Sequence, residues 1–127
     1  LGEFGEDMKR ILVVDDEPDI LNALKASLER QLDYEVDTAG DGEEALKKLE
    51  KSTPDLIILD LIMPKINGED VLRMIRKNYK TMNTPVIVST VRRETSALVN
   101  LMNLGATDYL MKPYDIKDLN RVVGIYI

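Results

Sequence analysis

Short apolar runs alternate with longer amphipathic ones along most of this chain. Ile11-Leu12-Val13-Val14 is apolar at every position, which predicts a strand covered on both faces. From Pro18 to Leu32 the residues Ile20, Leu21, Leu24 and Leu28 recur at helical spacing. Tyr34 to Thr38 alternates, as a half-buried strand near a sheet edge does. Glu43 to Lys51 predicts a helix turning Ala45, Leu46 and Leu49 inward, and Asp55 to Leu59 predicts a second covered strand. The second half repeats the rhythm. Glu69 to Tyr79 is helical through Val71, Leu72 and Ile75, and Pro85 opens a strand over Val86–Thr90. Thr95 to Leu104 is a helix stopped by Gly105 at the position of a C-cap glycine. Thr107 to Met111 is the fifth strand, and Asp115 N-caps a last helix running to the chain end.

Five βα units predict an α/β domain, a doubly wound (βα)5 arrangement with a parallel sheet, helices on both faces and right-handed crossovers. The length of 127 residues suits one domain, read here as residues 8–127. Residues 1–7 are acidic and lack the basic-then-apolar order of a signal peptide, so they are read as a leader or a remnant of cloning. In open parallel sheets the working site lies at the carboxyl ends of the strands. Those ends carry Asp15-Asp16-Glu17, Asp60, Ser89-Thr90 and Lys112-Pro113.

Composition narrows the chemistry. With no cysteine and no histidine, the chain holds no disulfide, thiolate metal site, Ser-His-Asp triad or histidine base. A net charge of −6 argues against direct nucleic-acid binding, and no apolar run approaches membrane-spanning length. The convergent set is three aspartates, a hydroxyl and an ammonium. Crowded carboxylates repel one another, and magnesium relieves this through oxygen ligands. A carboxylate can also act as a nucleophile toward phosphorus. Each residue has a plainer use when taken singly: Asp15 to Pro18 can start a helix, Asp60 can cap a turn, Thr90 can end a strand, and Lys112 can be a solvated loop lysine. Their placement at the ends of different strands is what favours a site.

The stretches Ile11 to Glu17, Asp60-Leu61-Ile62-Met63-Pro64 with Gly68 behind it, Pro85 to Thr90 and Gly105 to Pro113 together resemble the response-regulator receiver domains of two-component signalling. The resemblance runs from about Lys9 to Tyr126. It implies a flavodoxin-like sheet in the order 2-1-3-4-5. It also implies that Asp60 is the phosphoacceptor, that Asp16 binds magnesium (or manganese) directly and Asp15 through water, and that the Ile62 backbone carbonyl completes the metal ligands. Thr90 matches the switch hydroxyl, Lys112 the lysine that pairs with the phosphoryl group, Tyr109 the switch aromatic and Pro113 a cis-proline. The implied partners are a histidine kinase or histidine phosphotransfer domain, and an output partner or second copy on the helix 4–strand 5–helix 5 face. The implied setting is the cytoplasm.

Val91 and Ile62 depart from the family pattern, in which the first position is small and the second often polar. Val91 crowds the site, and an apolar Ile62 offers nothing to orient a hydrolytic water, so a long-lived phosphoryl state is expected. The chain is therefore read as a switch that slowly loses its own phosphoryl group, not as a turnover enzyme. A phosphate-independent interaction module is the alternative. Without a second acid at Ile62 an efficient aspartyl-phosphate hydrolase is disfavoured, and the acidic first loop disfavours a flavin carrier. The apolar residues Leu98, Val99, Leu101, Met102 and Leu104 exceed what one inner helix face needs, and suggest core packing or a contact surface.

Overall fold

A computed structural model describes residues 8–31 and 33–127. The expected leader at 1–7 and Leu32, the last residue of the first predicted helix, lie outside the described residues. The elements are β1 (Lys9–Val14), α1 (Pro18–Glu29), β2 (Tyr34–Ala39), α2 (Gly42–Lys51), β3 (Leu56–Asp60), α3 (Gly68–Lys77), β4 (Val86–Thr90), α4 (Thr95–Asn103), β5 (Asp108–Met111) and α5 (Ile116–Tyr126). The strands form one parallel sheet in the order β2-β1-β3-β4-β5.

Strand parity divides the core. Leu12, Val14, Ile57, Leu59, Val86 and Val88 pack with α2, α3 and α4 on one face. Ile11, Val13, Leu56, Ile58, Ile87 and Leu110 pack with α1 and α5 on the other. Successive side chains of a strand point to opposite faces, so a strand buried on both sides must be apolar throughout. β1, β3 and β4 meet that condition along their inner stretches, and β2 alternates because it is an edge.

Local chemistry sets the element ends. Asp41 and Asn67 cap α2 and α3 by accepting from Glu44 N and Asp70 N, and Asp115 forms a capping box with Asp118 on α5. α1 starts differently: Pro18 opens it, and Glu17 at the cap position makes no side-chain bond. Asp15 and Asp16 are thus not consumed as the helix cap. β3 begins at Leu56, one residue later than the Asp55 start expected from the sequence, where the Asp55 carboxylate accepts from Arg10 N at 2.8 Å. It also runs one residue further, taking in Asp60. α3 stops at Lys77 rather than Tyr79, where the Thr81 hydroxyl donates to Ile75 O at 2.7 Å and closes the helix end. Gly105 (φ 106°) follows α4, with Ala106 N bonded to Leu101 O, the arrangement that favours glycine after a helix.

Candidate functional site

Parity brings four polar residues onto one face at this edge of the sheet. Asp60 follows Ile58 by two residues, Ser89 follows Ile87 by two, and Lys112 follows Leu110 by two, so all three share the α1/α5 face. Asp15 continues the same parity past β1, where its N–H still donates to Ala39 O at 3.1 Å. Thr90 and Tyr109 belong to the opposite parity, with Val88. The strand ends enclose a crevice of about 300 Å³ whose lining includes Asp16, Asp60, Ile62, Ser89, Thr90, Val91 and Lys112.

Asp15, Asp16 and Asp60 offer carboxylate oxygens that all lie within 4.8 Å of one another; Asp15 and Asp60 are buried and Asp16 is exposed. The Lys112 ammonium donates to Asp15 Oδ2 at 3.3 Å and stands 3.4 Å from Asp60 Oδ1. Burial, and after it the Asp15 charge, pushes the Asp60 carboxyl above the usual carboxylate range, against the opposing pull of Lys112 and the Ile62 N–H. Burial works to lower Lys112, but the Asp60 and Asp15 charges outweigh it and hold the ammonium more firmly protonated. One lysine therefore does not neutralise the cluster. An all-oxygen donor set with surplus negative charge and one ligand open to solvent fits a hard divalent cation.

The loops around the site are held by backbone contacts. Gly68 N donates to Leu61 O at 2.9 Å, and a Cβ on Gly68 would fall 2.5 Å from Asp60 O and Leu61 Cα. Only a glycine lets α3 start this close to the end of β3. Ile62 N donates to Asp60 Oδ1 at 3.4 Å, while the Ile62 side chain is 67% exposed. Thr90 Oγ1 accepts from Arg92 N at 3.0 Å, and Tyr109 is half-buried. Lys112 N donates to Thr90 O at 2.7 Å, and the peptide bond from Lys112 to Pro113 is cis. Val91 is 57% exposed at the rim. Every site residue expected from the sequence thus lies at this edge of the sheet except Tyr109, which sits further back along β5, level with Val88.

A family model described as the response regulator receiver domain matches residues 11–124. The chain belongs to this family. The receiver domain is 44% identical over 115 residues to the alkaline phosphatase synthesis transcriptional regulatory protein PhoP of Bacillus subtilis, covering 91% of this chain and 47% of that protein. It spans about half the length of the curated relatives it matches. Among solved structures it is similar to the chemotaxis response regulator CheY4 of Vibrio cholerae, with TM-score 0.89, 31% identity, and coverage of 94% of this chain and 99% of that one. It is also similar to the receiver domain of a sensor histidine kinase from Pseudomonas aeruginosa, described with a magnesium ion coordinated in its active-site cleft, with TM-score 0.83, 29% identity, and coverage of 94% and 97%. The chain is a response-regulator receiver domain of two-component signalling, with the fold those relatives share.

One buried polar group at this edge has no role in the family motif. Ser89 is 2% exposed, faces the α1/α5 side and pairs in register with Asp60. Its signal in the sequence is parity: it stands two residues after the apolar Ile87, on the same side as the expected nucleophile. The strand register needed to use that signal is set only by the assembled sheet.

Proposed function

We propose that this receiver domain takes a phosphoryl group onto Asp60 and that the charge added there drives a change of shape. The observation that carries the reading is the Lys112 ammonium within 3.4 Å of two buried carboxylates that it does not fully neutralise. Asp15, Asp16 and Asp60, with the Ile62 backbone carbonyl, would hold magnesium or manganese. Such a cation supplies charge neutralisation and a Lewis-acid contact for a phosphoryl oxygen. An Asp60 carboxylate oxygen forms the bond to phosphorus as the bond from phosphorus to the donor's histidine nitrogen breaks, and the freed imidazole keeps that electron pair. Lys112 binds one phosphoryl oxygen as a cation. Thr90 donates its hydroxyl to another, and in turning to do so gives up its bond from Arg92 N. Tyr109 shares the Thr90 face of the sheet and follows it inward, and the surface around β5 changes with them.

The donor in this reading is a histidine kinase or histidine phosphotransfer domain. It docks against α1 and the neighbouring loops, where Ile20, Ala23, Leu24, Val91, Pro113 and Tyr114 line an apolar groove of about 470 Å³ beside Lys112. The α4–β5–α5 face, with Val99, Met102 and Ile125 exposed, takes the output partner or a second copy. Residues 8–127 act as one switch domain rather than a turnover enzyme, in the cytoplasm and without direct contact to nucleic acid. Among the described residues, no helix is long and apolar enough to cross a membrane.

The test is intact-mass spectrometry after incubation with acetyl phosphate, with and without magnesium, on the wild type and on Asp60→Asn. The expected result is a single phosphoryl adduct requiring both magnesium and Asp60. A folded wild type that gains no adduct under any condition would instead favour a phosphate-independent interaction module.

A further inference from the structure

Ser89 Oγ is buried and has no hydrogen-bond partner among the described residues. An unpaired hydroxyl in a core costs more than the methyl that could replace it, so a serine there calls for an explanation. Its surroundings suggest one. Ser89 pairs in register with Asp60, lines the same crevice as Asp60 and Lys112, and stands on β4, the strand that the Lys112–Asp60 pair reaches across. The ammonium has three N–H donors. Asp15 and Asp60 draw on two of them from the β1 and β3 side, which leaves one for the strand beneath. Tyr114 lines the groove beside Lys112. Burial raises its phenol, and the Ser89 hydroxyl is the largest influence opposing that, the direction expected of a hydroxyl that donates toward the phenol oxygen.

We propose that Ser89 is a positioning residue for Lys112: its Oγ accepts the third ammonium N–H once magnesium occupies the carboxylates, and its own proton goes to the Tyr114 phenol oxygen, which orients it. The pair gives the ammonium a polar seat on β4, next to Asp60. This rests on the reading of Asp60 as phosphoacceptor.

Ser89→Ala, Ser89→Thr and Tyr114→Phe, in the same chain, test it through two readouts. One is the rate of acetyl-phosphate-driven adduct formation, split into a maximal rate and a half-saturating concentration. The other is solvent exchange of the Lys112 ammonium protons by nitrogen-15 NMR, taken with magnesium but no phosphodonor. Ser89→Ala should lower the maximal rate roughly tenfold, the scale of one hydrogen bond to a charged group, with half-saturation and the magnesium-induced thermal shift unchanged. Ser89→Thr should restore the rate, and Tyr114→Phe should lower it in the same direction. Both Ser89→Ala and Tyr114→Phe should speed ammonium exchange. A Ser89→Ala protein that melts higher yet keeps the wild-type rate and wild-type exchange would overturn the proposal, since that is the behaviour of a merely unpaired hydroxyl. If Ser89→Ala does not fold, unchanged exchange in Tyr114→Phe overturns it equally. A wild type that takes no phosphoryl group would sink the Asp60 reading instead, and the exchange comparison would still decide whether Ser89 seats Lys112.

Discussion

Lys112 Nζ stands 3.4 Å from Asp60 Oδ1, so the last strand of the sheet is tied to the third across the strand between them. The tie is electrostatically incomplete. Asp60 is still held above its ordinary pKa, by burial first and the Asp15 charge second. A carboxyl whose pKa is raised on folding binds its proton more tightly in the folded state than in the unfolded one. Its contribution to stability is therefore most favourable when it is protonated, and falls as pH rises from the unfolded value through the folded one.

Asp60→Asn should accordingly stabilise the metal-free protein at neutral pH. The expected rise in melting temperature is a few degrees, shrinking as pH is lowered toward the ordinary carboxylate value of 3.8. Magnesium should raise the melting temperature of the wild type and much less that of the variant, because the variant has lost one ligand and the charge that the cation relieves. Thermal melts over a pH series, with chelator and with magnesium, check both. A variant that melts below the wild type in chelator would contradict this account.

Gly68 is the backbone feature on which the site geometry depends most directly. A methyl at that position meets main-chain atoms of Asp60 and Leu61, which cannot rotate away as a side chain could. Gly68→Ala should cost about 1–3 kcal/mol, the usual range for overpacking. By moving the start of α3 off the end of β3 it should also weaken magnesium binding. Urea unfolding measures the first effect and calorimetric titration of magnesium the second. Stability loss with unchanged magnesium affinity would mean that the loop after Asp60 moves independently of α3.

The sheet was legible because three strands are covered on both sides and so carry unbroken apolar runs, and because each run ends in a charged or hydroxyl residue. Helix ends were less so. Thr81, six residues beyond Ile75, closes α3 through its hydroxyl, and no local pattern announces a bond of that reach. The excess of large apolar residues on α4 divides in the structure: Leu101 is buried, Leu98 and Leu104 pack at the core margin, and Val99 and Met102 are exposed. In the site, the acids, Thr90 and Lys112 were readable from motif and strand ends. Ser89 was not, because its meaning depends on register with Asp60 across a neighbouring strand.

Arg76 illustrates the same gap at the opposite edge of the sheet. In sequence it is one more basic residue near the end of α3, yet its guanidinium sits among carbonyls. It donates to Gly105 O and Thr84 O at 2.7 Å each, to Thr81 O at 3.2 Å, and to Thr107 Oγ1 at 3.3 Å. These bonds brace the loops before β4 and β5, the strands that lead into Thr90 and Lys112. A lysine cannot reproduce a planar fork of donors. Arg76→Lys should therefore cost about 2–3 kcal/mol by urea unfolding, since several half-buried carbonyls lose a charged partner. An unaffected midpoint would mean that solvent satisfies those carbonyls equally well.

The lifetime of the phosphoryl state should be set by the two apolar residues at the rim. Hydrolysis of an aspartyl phosphate needs a water aligned behind phosphorus and a group to take up its proton. Ile62, 67% exposed, and Val91, 57% exposed, stand at the mouth of the crevice and have no polar side-chain atom. Arg92 is nearby but is a permanent cation and cannot act as a base. Dephosphorylation should therefore be slow, with a half-life of many minutes or longer. Ile62→Glu should shorten it about tenfold, less than the roughly hundredfold or more that a well-placed general base supplies, because the new carboxylate is not positioned by its surroundings. Val91→Ala should speed both gain and loss of the phosphoryl group by widening access, leaving the steady-state level with a small donor little changed. Following the adduct by mass after donor removal checks all three proteins. A wild-type half-life of seconds would show that water reaches Asp60 freely in spite of both side chains.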